Sequence, residues 1–177
     1  MSWLKSLFGG TGSGVERAQK VQQRRGNATQ SQNLEPIVGG AIVSLPIPSG
    51  WRRIDHSGRR QFVPPEAANV GGKNSAEINV FVAGPASASA LDNLAGSLGK
   101  SYASFSLLES GDAKVPGADV SQYIRFRYKA GQSTFIDAQT HAVRNRWHCI
   151  VICTAADQYK AIYNEVFDKV HKGVKVS

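Results

Sequence analysis

The stretch 42-IVSLPIPSGW-51 decides the fold of this chain. β-Branched and other apolar residues over Ala41–Ile47 predict a strand, because such side chains pack well on a pleated surface. Pro46 and Pro48 are expected to end the strand, and Ser49-Gly50 supplies a turn. Trp51 follows directly and is predicted to enter the edge of the core. A folded domain is therefore expected to begin near residue 37.

Downstream of this stretch, the apolar pattern predicts short strands, a helix, a run of strands and a closing helix. A repeat at helical spacing begins at Leu91 and ends at Tyr102. A second, longer helical stripe covers Tyr159–Val170. Between the helices, strand-like runs are joined only by short turns, which predicts an antiparallel meander. The predicted strands are Arg60–Val63, Ala76–Val82, Phe105–Val115, Ser121–Lys129, Thr134–Val143 and Trp147–Thr154.

Composition divides the 177-residue chain into a tail and one domain. Residues 1–36 are polar and glycine-rich, with too few apolar residues for a core, so a mobile N-terminal tail is predicted. Residues 37–177 form the predicted domain. No apolar run approaches the roughly 20 residues that span a bilayer, and the first ten residues lack the apolar stretch of a secretory signal. We therefore expect a cytoplasmic protein.

The recognisable positions of this pattern are Leu45, Pro46, Pro48, Gly50, Trp51, the strand Ile78–Val82, the helix from Leu91, the Gly117 turn before Tyr123, and the segments Trp147–Thr154 and Tyr159–Val170. In these positions and in the order of its elements, the chain resembles the Mog1/PsbP-like family across residues 38–172. The resemblance implies an α/β fold, an antiparallel β-sheet flanked by helices in an α/β/α sandwich. It also implies binding or assembly without catalytic residues, since relatives include a Ran-binding nuclear protein, an extrinsic photosystem subunit and bacterial chaperones of type VI secretion effectors. The bacterial effector-chaperone branch is the one we expect here.

The residue types used in catalysis and metal binding do not form a recognisable motif. None of the four histidines is spaced with a second ligand in a metal-binding pattern. His148 and Cys149 are neighbours on a predicted strand and so point to opposite faces, which excludes a nucleophile–base pair. The glycine-rich stretch Gly9–Gly14 lacks the strand and lysine of a phosphate loop. The sequence predicts no catalytic residue, no metal and no cofactor; an unrecognised enzyme would need a cleft that gathers a histidine with a carboxylate or a cysteine.

Basic residues alternate along two of the predicted strands. Period two places Arg125, Arg127 and Lys129 on one face, and it groups Arg144 with Arg146. Together with a net charge of +8, this predicts a basic sheet face that binds a protein partner, either acidic or exposing an apolar segment. Nucleic acid is disfavoured, because the aromatic residues that would stack on bases lie on the opposite face. The favoured function is a non-catalytic adaptor or chaperone-like factor, linked to protein secretion.

A short apolar cluster near the N-terminus leaves an alternative open. Trp3, Leu4, Leu7 and Phe8 recur at helical spacing ahead of a basic segment. Such a segment can dock weakly and reversibly on an anionic membrane surface or in a groove of a partner. The alternative function is therefore a peripheral protein at the inner face of the membrane, and an enzyme is the third.

Overall fold

The structure is a computed structural model that describes residues 41–177, the strand Thr29–Leu34, and helical residues Val15, Glu16, Ala18 and Gln19. The strands are β1 (Thr29–Leu34), β2 (Val43–Pro48), β3 (Arg52–His56), β4 (Arg59–Val63), β5 (Asn69–Val70), β6 (Lys73–Asn74), β7 (Ala76–Ala83), β8 (Ser106–Asp112), β9 (Val120–Ala130), β10 (Ser133–Arg144), β11 (Trp147–Ala156) and β12 (Lys175–Val176). The helices are α1 (Leu94–Ser101) and α2 (Lys160–Lys172), preceded by 3-10 turns at Ala88–Leu91 and Asp157–Tyr159. Within these residues, no helix is long and apolar enough to cross a membrane.

A seven-stranded antiparallel sheet forms the centre of the domain, in the order β3-β4-β7-β11-β10-β9-β8. Strands β8, β9, β10 and β11 follow one another in the chain and lie side by side in the sheet, so the predicted antiparallel meander is confirmed. Strand β7 has buried residues on both of its faces, Ile78 and Val80 on one and Asn79 on the other, as expected for a strand covered on both sides. The sheet ends at β3 on one side and at β8 on the other.

A smaller sheet, β1-β2-β12, corrects the predicted domain boundary. Residues Thr29–Leu34 fall within the predicted tail, yet they pair antiparallel with β2. Ala18 also falls in that stretch and is buried in the core. The boundary at residue 37 was wrong because β1 joins the domain through its backbone hydrogen bonds, and its polar sequence TQSQNL has no apolar alternation to reveal it.

Helix α2 covers one face of the large sheet. Tyr163 is fully buried, and its ring lies 5.9 Å from both Trp51 and Phe167. The predicted apolar stripe is thereby confirmed, as is the entry of Trp51 into the core. The helix starts at Lys160, and the 3-10 turn Asp157–Tyr159 precedes it, so Asp157 is not its N-cap residue. The Asp157 carboxylate instead accepts a hydrogen bond from Lys160 Nζ at 3.0 Å.

Aromatic residues cover the opposite face beside α1. Phe126 is fully buried, with ring centroids 4.9 Å from both Tyr102 and Phe105. Tyr128 adds a contact of 4.7 Å with Tyr102. The sheet is therefore packed on both sides at β9, which produces the predicted sandwich of helix, sheet and helix.

The turn between β10 and β11 consists of two residues in the left-handed region. Asn145 has φ 47° and Arg146 has φ 68°. Two positive φ values in a two-residue hairpin are typical of a type I′ turn, which matches the twist of the flanking strands. Asparagine tolerates this conformation, whereas arginine is strained in it.

Replacing Arg146 with glycine is expected to stabilise the domain by about 0.5–1 kcal/mol, because glycine adopts positive φ without steric cost. Urea unfolding at neutral pH measures the change. The control is Asn145→Gly, for which we expect a smaller gain. A loss of stability on Arg146→Gly would mean that the arginine side chain makes a stabilising contact.

Candidate binding edge and cavity

The three predicted basic residues of β9 lie on the face that α2 covers. Arg125 donates from Nη2 to Asn164 Oδ1 of the helix at 2.8 Å. Arg127 lies 3.5 Å from the Asp157 carboxylate. Lys129, near the end of the strand, is exposed. These residues share a face, as predicted, but that face is not an open docking surface.

The other two predicted residues lie at a distance from them. Arg144 donates a hydrogen bond to the carbonyl of Gly117. Ala138 of β10 is the cross-strand partner of Arg125, and Arg144 lies six residues further along β10. Six residues of a strand span roughly 20 Å, so Arg144 is far from Arg125. Arg146 lies in the turn and not on a strand, so period two does not apply to it. The five basic residues therefore do not form one patch, and their role in binding stays a prediction.

Strand β8 presents an exposed edge of the large sheet. All seven of its residues are exposed, and Leu107 and Leu108 each retain 46% of their accessible surface. Among the described residues no strand pairs with its outer side. A β-bulge between Leu107 and Glu109 interrupts the pairing with β9, and the register is regular from Glu109 to Asp112.

The pairing with β9 determines which backbone groups of β8 point outward. Ala113 N donates to Ser121 O at 3.1 Å, which marks a hydrogen-bonded pair at the end of the strand. In an antiparallel ladder, bonded and non-bonded pairs alternate, so Gly111 bonds to β9 whereas Ser110 and Asp112 do not. The N–H and C=O groups of Ser110 and Asp112 therefore face away from the sheet.

The opposite edge differs in both length and charge. Strand β3 has five residues, and Arg53 and Arg60 both contact the Asp55 carboxylate, at 3.0 and 3.5 Å. Short, charged edges resist the addition of another strand. This basic hairpin was missed by the sequence analysis, although Arg52-Arg53 and Arg59-Arg60 are plain in the printed sequence.

A cavity of about 560 Å³ lies between β8, β9 and the C-terminal half of α2. The side chains that line it come from both strands, from β10 and from the helix. They are Glu109, Asp112, Ala113, Lys114, Val115, Tyr123, Arg125, Thr140, Asp168, His171 and Lys172. Of the predicted site residues that the structure describes, only Arg125 lines this cavity.

The inner part of the cavity carries one formal charge at neutral pH. Burial raises the pKa of Tyr123 to about 12, so its hydroxyl is neutral. Burial, with a smaller contribution from Arg125, lowers the pKa of His171 to about 3. Thr140 Oγ1 lies 2.7 Å from His171 Nδ1 and holds the neutral ring in place. Arg125 is therefore the charged group among these four side chains.

The same cavity gathers a histidine with carboxylates, the arrangement that the enzyme alternative required. However, His171 Nδ1 contacts a hydroxyl, and in the described part of the chain no carboxylate forms an ion pair with this ring. A histidine with a pKa near 3 is also a weak general base at neutral pH. The geometry does not provide an oriented nucleophile–base pair at this position.

A chain of buried polar side chains crosses the opposite face of the sheet. His148 Nε2 and His141 Nδ1 are 3.0 Å apart, and His141 Nε2 lies 2.8 Å from Gln139 Oε1. Gln139 Nε2 and Thr154 Oγ1 then donate to the two oxygens of Asp137 at 3.2 and 2.8 Å. Burial raises the pKa of Asp137 to about 6. Because each of these side chains is hydrogen-bonded to another within the sheet, this polar network stabilises the fold and offers no open site.

Two further predictions from the sequence concern the N-terminal anchor and the absence of a metal site. The predicted anchor, Trp3, Leu4, Leu7 and Phe8, lies outside them, so its docking on a membrane or partner stays a prediction. No group of three or more metal-ligating side chains that could hold an ion occurs among the residues described.

Comparison with solved structures supports the fold. LpqN, involved in cell envelope biogenesis of Mycobacterium tuberculosis, superposes with a TM-score of 0.65 at 17% identity, over 86% of this chain and 94% of that one. The cyanobacterial PsbP of Synechocystis gives 0.58 at 12% identity, over 85% and 94%. PA94 of Pseudomonas aeruginosa, a protein of unknown function, gives 0.53 at 16% identity, over 78% and 92%. No protein-family model and no curated protein matches the chain. The predicted Mog1/PsbP-like sandwich is therefore confirmed as a fold.

Proposed function

We propose that this chain is a non-catalytic protein-binding adaptor that takes up an extended segment of a partner by strand addition at β8. The observation that carries the proposal is the outward-facing backbone of Ser110 and Asp112 beside the exposed Leu107 and Leu108. Strand addition uses backbone hydrogen bonds for affinity and side-chain contacts for specificity. The edge supplies both.

The exposed leucines define the chemistry of the partner. Leu107 pairs with Phe126 and lies next to Leu108 at the bulge. Leu107 and Leu108 therefore form an exposed apolar patch at one end of the edge. An added strand with an apolar residue at that end would bury this surface and gain roughly 25 cal/mol per Å². The partner segment is therefore extended, with an apolar residue near one end.

The expected chaperone role is part of the same proposal. A factor that holds an incompletely folded client meets extended segments whose backbone groups are unpaired, and a free sheet edge pairs with such segments. The named neighbours share the fold, and one of them, LpqN, takes part in cell envelope biogenesis. A link to secretion and a cytoplasmic location for this chain rest on the sequence alone and stay predictions.

Removing one outward N–H tests the proposal. Displayed random-sequence linear peptides are selected on the immobilised full chain, and the enriched peptides are synthesised and their affinities measured. Ser110→Pro is expected to weaken binding at least tenfold, because proline has no N–H to donate at this outward position. Proline is tolerated on an edge strand where the N–H faces solvent, so the domain still folds.

The matched control is Ser110→Ala, which removes the same hydroxyl and keeps the N–H; we expect its affinity within twofold of the parent. Circular dichroism of both variants checks that the fold is kept. The proposal is contradicted if selection yields no binding peptide, or if the proline and alanine variants bind the selected peptides equally well.

A further inference from the structure

We infer that the cavity between β8, β9 and α2 binds an acidic side chain of the added strand, with Arg125 as its counter-charge. The inference rests on the proposed strand addition and names the side chain that gives it specificity. It changes the role of one predicted residue: Arg125 acts as the base of a pocket and not as part of an open basic face.

Gly111 places no side chain between the free edge of β8 and the cavity side of the sheet. Glu109 and Gly111 pair with Arg125 and Tyr123, so positions 109 and 111 face the cavity side of the sheet. A Cβ atom built on Gly111 meets nothing within 4 Å. A residue placed opposite Gly111 in an added strand projects its side chain to the same face. That side chain can pass over Gly111 without meeting another side chain of β8.

The spacing of the sheet allows the two charges to meet. Neighbouring strands lie about 4.8 Å apart, which puts the added strand about 10 Å from β9. Arg125 lies two residues from Tyr123, the residue that pairs with Gly111, and is therefore the diagonal neighbour of Gly111 across β8 and β9. Diagonal neighbours are within reach of long side chains. An arginine and a glutamate extended toward each other therefore span the width of β8.

Arg125 gives the inner end of the pocket a positive charge that can bind a carboxylate. Asn164 holds one Nη atom of Arg125, which fixes the guanidinium and leaves a planar fork suited to bidentate binding. Among the described residues, no carboxylate forms an ion pair with Arg125. The other charged groups of the lining are exposed, so salt screens their effect on a bound carboxylate. They are the carboxylates of Glu109, Asp112 and Asp168 and the lysines Lys114 and Lys172.

A double-mutant cycle between chain and peptide tests the inference. The probes are a peptide selected on the full chain and its Glu→Gln or Asp→Asn version. Arg125→Gln is expected to lower the affinity for the acidic peptide at least tenfold and to change the affinity for the neutral version by less than twofold. Arg127→Gln is the matched control, because Arg127 has the same charge, strand and face but does not line the cavity. We expect it to change neither affinity by more than twofold.

A second variant tests the route into the cavity. Gly111→Val fills the opening in a strand position where a Cβ meets open space, so the fold is kept. We expect it to remove the advantage of the acidic peptide and to leave the neutral one bound. If the peptides are sensitive to Ser110→Pro but show no shared acidic position, or if Arg125→Gln and Arg127→Gln act alike, this inference is wrong and strand addition stands. If Ser110→Pro has no effect, both fail.

Discussion

A Tyr163→Ala variant is expected to lose about 3–5 kcal/mol of unfolding free energy, the range for truncating a large buried aromatic side chain. Tyr163 is fully buried between Trp51 and Phe167, at the contact between α2 and the sheet. Removing its ring leaves a cavity lined by rigid aromatic neighbours that cannot close over it. Since the stability of a whole domain is only about 5–15 kcal/mol, the variant is expected to unfold at a much lower urea concentration than the parent.

Tyr163→Phe keeps the ring and removes the hydroxyl, so it separates their contributions to the unfolding free energy. The hydroxyl lies 3.3 Å from Glu66 Oε1, and losing that hydrogen bond is expected to cost about 1 kcal/mol. Urea unfolding of the parent and both variants, followed by circular dichroism, gives the three values. A loss below about 1 kcal/mol for Tyr163→Ala would show that α2 does not pack on the sheet through this residue.

Acidification from pH 7 to pH 4 is expected to lower the unfolding free energy by on the order of 3 kcal/mol. Burial lowers the folded-state pKa of His141 and of His171 to about 3, from an ordinary value of 6.5. Such groups stabilise the fold fully above pH 6.5, and that contribution is lost as the pH falls toward 3. Burial also lowers the pKa of His148, which adds to the effect.

Asp137 acts in the opposite direction. Its folded-state pKa is raised to about 6 from 3.8, so its burial cost is present above pH 6 and is relieved as the pH falls to 3.8. The net loss is therefore smaller than that of the histidines alone. Urea unfolding at pH 7, 5.5 and 4 measures the slope, and Asp137→Asn is expected to make it steeper by removing the offset. Stability that stays constant or rises on acidification would contradict the protonation states assigned to the buried histidines.

The sequence predicted elements whose side chains alternate or repeat, and missed those defined by partners distant in the chain. The closing helix was predicted because its apolar stripe meets the sheet at regular spacing. Strand β1 was missed because its polar side chains carry no pattern, although its backbone completes the small sheet. Asp137, Gln139 and His141 alternate as a solvent-facing strand would, yet all three are buried.

The candidate site shows the same division. The sequence predicted a strand at β8 but could not show that it ends the sheet, because strand order depends on pairings between distant segments. The sequence correctly predicted that Arg125 and Arg127 share a face. The alternation of residues along β9 does not show, however, that a helix covers that face. Arg146 was assigned to a strand because period two was extended through a turn.

Hydrogen exchange of the β8 amides, measured by NMR before and after addition of a selected peptide, tests strand addition most directly. In the free chain, the amides of Ser110 and Asp112 are expected to exchange fast, and that of Gly111 slowly, because only Gly111 bonds to β9. With peptide bound, all three are expected to exchange slowly. Peptide binding that leaves the Ser110 and Asp112 amides as fast as before would show that the partner does not pair with this edge.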